Sequence, residues 1–208
     1  MHAALALALT LATPALAQEA GDFDYYVLSL SWSPTWCATE GDPGDAQCEP
    51  GAGYGWILHG LWPQYEVGWP EDCRGEFRDP SRRETAAMAD IMGSGGLAWH
   101  EWNVHGTCSG LSPEDYFDLA REAYGSVAIP PGFARIRETE EVPARAVEEA
   151  FLRSNPGLTR DGVTVTCQGD RLQEVRICLD RDGLTPRACG EDAGRDCTRP
   201  DAVIEPIP

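Results

Sequence analysis

The chain has 208 residues and a formal charge of −18, from 34 acidic residues against 16 basic ones. That imbalance promotes solubility and weakens nonspecific attraction to polyanions, which disfavours tight nucleic-acid binding far more than brief contact at a local positive site. Every basic residue is Arg, and none of the eight cysteines forms a CxxC pair, which argues against a zinc ribbon or a thioredoxin-like redox motif.

Residues 1–17 lack Asp, Glu, Lys and Arg, carry an Ala/Leu run from Ala3 to Leu11, and end Ala15-Leu16-Ala17. An apolar h-region followed by an A-x-A pattern reads as a signal peptide, too short to span a bilayer, although His2 and the amino terminus are its only positive charges. Residues 18–208 then form a single domain, since no repeat, charge block or low-complexity linker divides them. All eight cysteines follow the cleavage site, and an even count in an exported chain reads as disulfides in the periplasm or outside the cell. No other segment is apolar enough to cross a membrane.

Phe23–Ser31 is aromatic and β-branched and predicts a mostly buried strand. Residues 34–53, rich in Gly, Pro and Asp, predict a loop, and a second short strand follows at Gly55–Leu61. Arg82–Met92 has helical composition, and Leu97–His105 predicts a helix ending near Gly106. Ser112 as N-cap, Pro113 at the first helical position and acid in the first turn open a helix that Gly125 ends. Pro143–Ser154 is a further helix, Asn155-Pro156-Gly157 a turn, and Val163–Cys167 with Leu172–Leu179 a late pair of strands. The mixture predicts an α+β domain, an antiparallel sheet with helices to one side.

Beyond residue 17 three histidines remain, His59, His100 and His105, and four of the seven tryptophans fall in the two segments that hold them. Histidine titrates near neutrality without help, so two of them can divide acid and base duties. A neighbouring Trp offers a face for a base, worth roughly 1–3 kcal/mol. On a helix Glu101 and His105 share a face, so that Glu101 is expected to orient or charge-stabilise His105, while His100 is turned away. The spacing is not that of the HExxH zinc motif. The competing interpretation is that these are ordinary polar residues beside an aromatic core.

His-Gly-Leu-Trp-Pro-Gln at 59–64 and His-Glu-Trp-Asn-Val-His-Gly-Thr-Cys at 100–108 resemble the two active-site segments of the T2 family of secreted ribonucleases. Phe23–Pro34 resembles that family's first strand, so the likeness runs from about Phe23 to Cys108. It implies a disulfide-stabilised α+β fold with an antiparallel sheet core flanked by helices. It also implies endoribonucleolytic cleavage of single-stranded RNA by transesterification to 2′,3′-cyclic phosphates and then 3′-phosphates. Carried over by position, His105 is the general base, His59 the general acid, and Glu101 and His100 stabilise or contact the phosphate. Trp62, and more weakly Tyr65, would line the pocket for the upstream base. No cofactor or metal is implied, the partner is the RNA substrate, and a monomer is expected. The same likeness implies disulfides Cys37–Cys48, Cys73–Cys108, Cys167–Cys197 and Cys178–Cys189, where the sequence alone leaves roughly a hundred pairings open.

One position departs from the family. The residue before the second catalytic histidine is commonly Lys there and is Val104 here. The transition state therefore has one fewer cation nearby, which lowers the rate or passes the duty to an Arg from elsewhere. Two alternatives stand beside this reading. A metal-dependent hydrolase would use His59, Glu101 and His105 as ligands, and a catalytically weak or silent secreted domain would only bind RNA or a protein partner.

Overall fold

A computed structural model describes residues 19–42 and 44–208. The expected signal peptide lies outside these residues. Among those described, no helix is long and apolar enough to cross a membrane.

The aromatic N-terminal run forms β1, Tyr25–Trp32. A short helix comes next, α1 at Ser33–Thr39, where a loop is predicted. The Gly and Asp residues that suggest a loop lie mostly after it, whereas Pro34 suits a first helical turn and Cys37–Cys48 pins the helix to the chain beyond. Strand β2 spans Trp56–Gln64. The helical stretch near residue 82 divides into α2, Arg82–Ala86, opened by a Ser81/Glu84 capping box, and α3, Ala89–Met92. Helix α4, Gly95–Val104, starts where the Ser94 hydroxyl accepts from Leu97 N–H, and α5, Pro113–Gly125, where Ser112 accepts from Asp115 N–H. After them come β3 (Glu140–Val142), α6 (Ala144–Ser154), β4 (Val163–Gln168), β5 (Arg171–Asp180) and β6 (Ala202–Ile204).

The strands form one sheet in the order β2-β1-β5-β6-β3, with β4 also paired to β5. Pairings between these strands are antiparallel except for a parallel contact between Arg171 of β5 and Val203 of β6. One face carries the main core: Leu28, Leu30, Leu58, Leu61, Val175 and Ile177 pack with Tyr116, Phe117 and Phe151 from the helices. The opposite face holds a smaller cluster, Tyr25, Val27, Cys178 and Ala193, with Trp62 against it. Four disulfides, Cys37–Cys48, Cys73–Cys108, Cys167–Cys197 and Cys178–Cys189, account for every cysteine. Cys73–Cys108 joins the loop after β2 to the turn after α4. The fold is α+β, as the sequence predicts.

Candidate active site

Strand β2 is broken by one residue. Ser29 pairs with Gly60 and Leu30 with Leu58, so His59 is an extra residue without a partner on β1. A bulge of this kind interrupts the pleat once and redirects the residues beyond it. Leu58 and Leu61, three apart, therefore both enter the helix-covered core at 0% exposure. In an unbroken strand residues three apart face opposite sides. The same break leaves Trp62 against the minor face.

Strand β5 contributes to that minor face. Arg176 pairs with Ser29 and Glu174 with Ser31, which sets Arg176, Ser29 and Gly60 in one row across three strands. Two of those residues are small, so the larger side chains meet above them. The Arg176 guanidinium lies 5.1 Å from the Trp62 ring centre. Its Nε and Nη2 donate to Glu174 Oε2 at 2.9 and 2.7 Å. Glu174 Oε1 is 2.6 Å from His59 Nδ1.

Helix α4 supplies the rest. Glu101 is 1% exposed, and its Oε2 accepts the Trp62 indole N–H at 2.6 Å while its Oε1 is 3.4 Å from His59 Nε2. Only glycine at 60 permits this approach, because a Cβ there would overlap both Glu101 Oε2 and Trp62 Nε1. His105 ends α4, its amide donating to the Glu101 carbonyl at 3.0 Å. The Trp62 ring is close to both histidines, 5.3 Å from His59 and 5.1 Å from His105, centre to centre.

The sequence expectation that Glu101 serves His105 is corrected by this arrangement. Its two oxygens are engaged by Trp62 and His59, because the bulge in β2 carries those side chains onto the helix face that holds Glu101.

The two histidines have opposite surroundings. Burial disfavours the charged form of His59, but the Glu174 hydrogen bond and the charges of Glu101 and Glu174 more than offset it and raise its pKa. His105 has no carboxylate against it among the described residues. Its buried Nδ1 has no hydrogen-bond partner among them either. Burial, with the positive charges of His59, His100 and Arg176, lowers its pKa to about 4. Burial pushes Glu101 up, against the pull of His59 and Trp62. Burial also opposes the charge on Glu174, yet His59 and Arg176 hold it down at about 2.

Two cavities flank the pair. One, about 250 Å³, is lined by His105, Trp62, Arg176, Gln64, Trp69 and Asp192, among others. The other, about 500 Å³, includes His59, His100, Glu174, Trp36 and Gln173 in its lining. His100 is exposed on α4 at the edge of this second cavity. Tyr65 lines neither. It packs against the main core, near the carboxylates of Asp22 and Asp24, because the chain has left the sheet after Gln64. Among the described residues no group of three or more His, Cys, Asp and Glu is arranged to hold a metal ion.

Glu174 and Arg176 are absent from the sequence expectations. Their signal is present nonetheless: a carboxylate and a guanidinium, two apart, in the middle of a strand whose neighbouring Leu172, Val175 and Ile177 are fully buried.

The Ribonuclease T2 family model matches residues 23–189. The chain belongs to that family. A ribonuclease of Aeromonas hydrophila is 35% identical over 201 residues, covering 91% of this chain and 88% of that protein. Ribonuclease I of Escherichia coli (strain K12) is 28% identical over 214 residues, covering 81% of this chain and 79% of its own length. Among solved structures, an RNase-related protein from Calystegia sepium superposes with a TM-score of 0.67 at 22% identity, covering 89% of this chain and 97% of that one. RNase NT in complex with 5′-AMP gives 0.65 at 24% identity, over 90% and 99%. These two likenesses bear on the fold. Family membership makes the chain an endoribonuclease.

Proposed function

We propose that this T2 ribonuclease is exported and cleaves single-stranded RNA by metal-independent transesterification, with His105 as general base and His59 as general acid. The contrast between the two imidazoles supports this most directly. The surroundings of the one without a carboxylate partner favour its neutral form, which can accept a proton, and Glu101 and Glu174 favour the charged form of the other, which can give one.

His105 takes the proton of the 2′-hydroxyl, and the freed oxygen attacks the adjacent phosphorus. His59 passes its proton to the departing 5′-oxygen, leaving a 2′,3′-cyclic phosphate on the upstream fragment. Water then opens the ring to a 3′-phosphate with the two roles exchanged. The internal nucleophile gains from proximity, and DNA lacks the hydroxyl that reacts. The cavities suit this polarity. The upstream base fits the one beside His105, where Trp62 offers a stacking face, and the downstream nucleoside fits the one beside His59 and His100. Glu101 stabilises charge on His59 and positions Trp62. The apolar segment ending at Ala17 and the four disulfides support export to an oxidising compartment.

The deciding experiment tracks products from polyuridylate with EDTA present, for wild type, His59→Ala and His105→Ala. Wild type should release cyclic phosphates undiminished by the chelator, and each alanine should lower kcat by about 10²–10⁴-fold. Inert wild-type protein, loss of activity in EDTA, or active alanine variants would each overturn the proposal.

A further inference from the structure

Transesterification of RNA asks for a permanent cation at the phosphate. A phosphodiester enters with one negative charge and gains a second as the 2′-oxygen adds, in a protein whose formal charge is −18 and whose site already holds Glu101 and Glu174. His59 cannot fill this need throughout, since it gives up its proton in the same step. Val104, the position where the family resemblance expects Lys, supplies no charge. Among the described residues that line the two cavities, Arg176 is the single Arg, and there is no Lys.

We infer that Arg176 is the phosphate-contacting cation of this site, delivered from β5 in place of a charge on α4. The inference rests on the proton-pair reading of His59 and His105. Arg176 shares a cavity with His105 and lies against the Trp62 ring that neighbours both histidines. Its side chain is 29% exposed, so an anion can reach it from solvent. Glu174 engages Nε and Nη2, while Nη1 makes no hydrogen bond to another described residue. A guanidinium presents several donors in a fixed plane, which suits a phosphate that changes shape during reaction. Glu174 holds the cation with one oxygen and the acid, His59, with the other, so the spacing between the two is set by a single buried carboxylate.

A merely structural Arg176 would neutralise Glu174 and touch no substrate. Arg176→Gln and Arg176→Lys separate the two roles when assayed on polyuridylate and by competition with 3′-UMP and with uridine. A phosphate contact predicts a fall in kcat/KM on the order of 10²-fold for Arg176→Gln, with a smaller fall for Arg176→Lys. It also predicts weaker inhibition by 3′-UMP and unchanged inhibition by uridine, which has no phosphate. A kcat/KM within twofold of wild type, or equal weakening of both inhibitors, would overturn the inference. With His59→Ala and His105→Ala run alongside, inactivity of those two beside a near-normal Arg176→Gln refutes the arginine alone. Activity in the histidine variants refutes the reading beneath it.

Discussion

His59 Nδ1 and Glu174 Oε1 are 2.6 Å apart, which ties the bulged strand to the fifth strand of the sheet through a half-buried ring and a buried carboxylate. That contact fixes the ring tautomer with the proton on Nδ1 when His59 is neutral, and it favours the imidazolium. Glu174→Gln keeps an acceptor for Nδ1 and removes the charge. Burial then opposes protonation of His59 with less to offset it, so the alkaline limb of the kcat/KM profile moves to lower pH. An alkaline limb in the same place as wild type would contradict this.

The pH dependence of the unaltered enzyme is set by the same two rings. His105 must be neutral to act as base, so activity rises as pH increases through about 4. His59 must be protonated to act as acid, so activity falls as pH passes its pKa, which lies above the ordinary 6.5. The expected profile is a bell spanning the mildly acidic range, measured as kcat/KM from about pH 3 to about pH 9. An acid limb near the ordinary histidine value would show that His105 is not held down by its surroundings.

Gly60→Ala places a methyl group where Glu101 Oε2 and Trp62 Nε1 meet. Glu101 and Trp62 must part, and His59 loses the carboxylate on its Nε2 side. We expect a loss of about 1–3 kcal/mol in stability together with a large drop in activity. Thermal unfolding and kcat measured on the same preparation test it, and normal activity at normal Tm would refute it.

Val104→Lys adds a cation at the end of α4. In the wild-type background kcat should rise, since the transition state gains a charge. In the Arg176→Gln background the gain should be larger, because there the new lysine answers a vacancy instead of supplementing an occupant. Equal gains in both backgrounds would mean that the two positions act independently.

Much of this site is readable from the chain, and the unread parts share a physical cause. His59, Trp62, Glu101 and His105 sit in two short segments whose composition is unusual, and their chemistry is local to them. The caps of α5 are legible because a Ser-Pro-Glu-Asp run specifies its own geometry. Which oxygen of Glu101 serves which partner is not local: it depends on the register of β2 against β1 and on how α4 lies over them. Glu174 and Arg176 reach the site through strand pairing across more than a hundred residues, so only their charge among the buried apolar residues at the middle of β5 marks them. The bulge itself does leave a trace, since Leu58 and Leu61 violate alternation around a glycine.

The bulge at His59 also governs which changes of chain length the protein can accept. Deleting His59 would restore an even pleat with Leu58 and Leu61 two apart and both still facing the core, so the sheet would keep its pairing while the site lost the ring that meets Glu101 and Glu174. Adding or removing a residue elsewhere in the strand, with the bulge left in place, would instead exchange the core for the minor face along the stretch to one side of the change. No single substitution repairs such a shift, since it moves a whole stretch of strand at once. Shuffling of segments between this chain and its relatives should therefore succeed where the crossover lies outside 56–64 and fail where it adds or removes a residue within it.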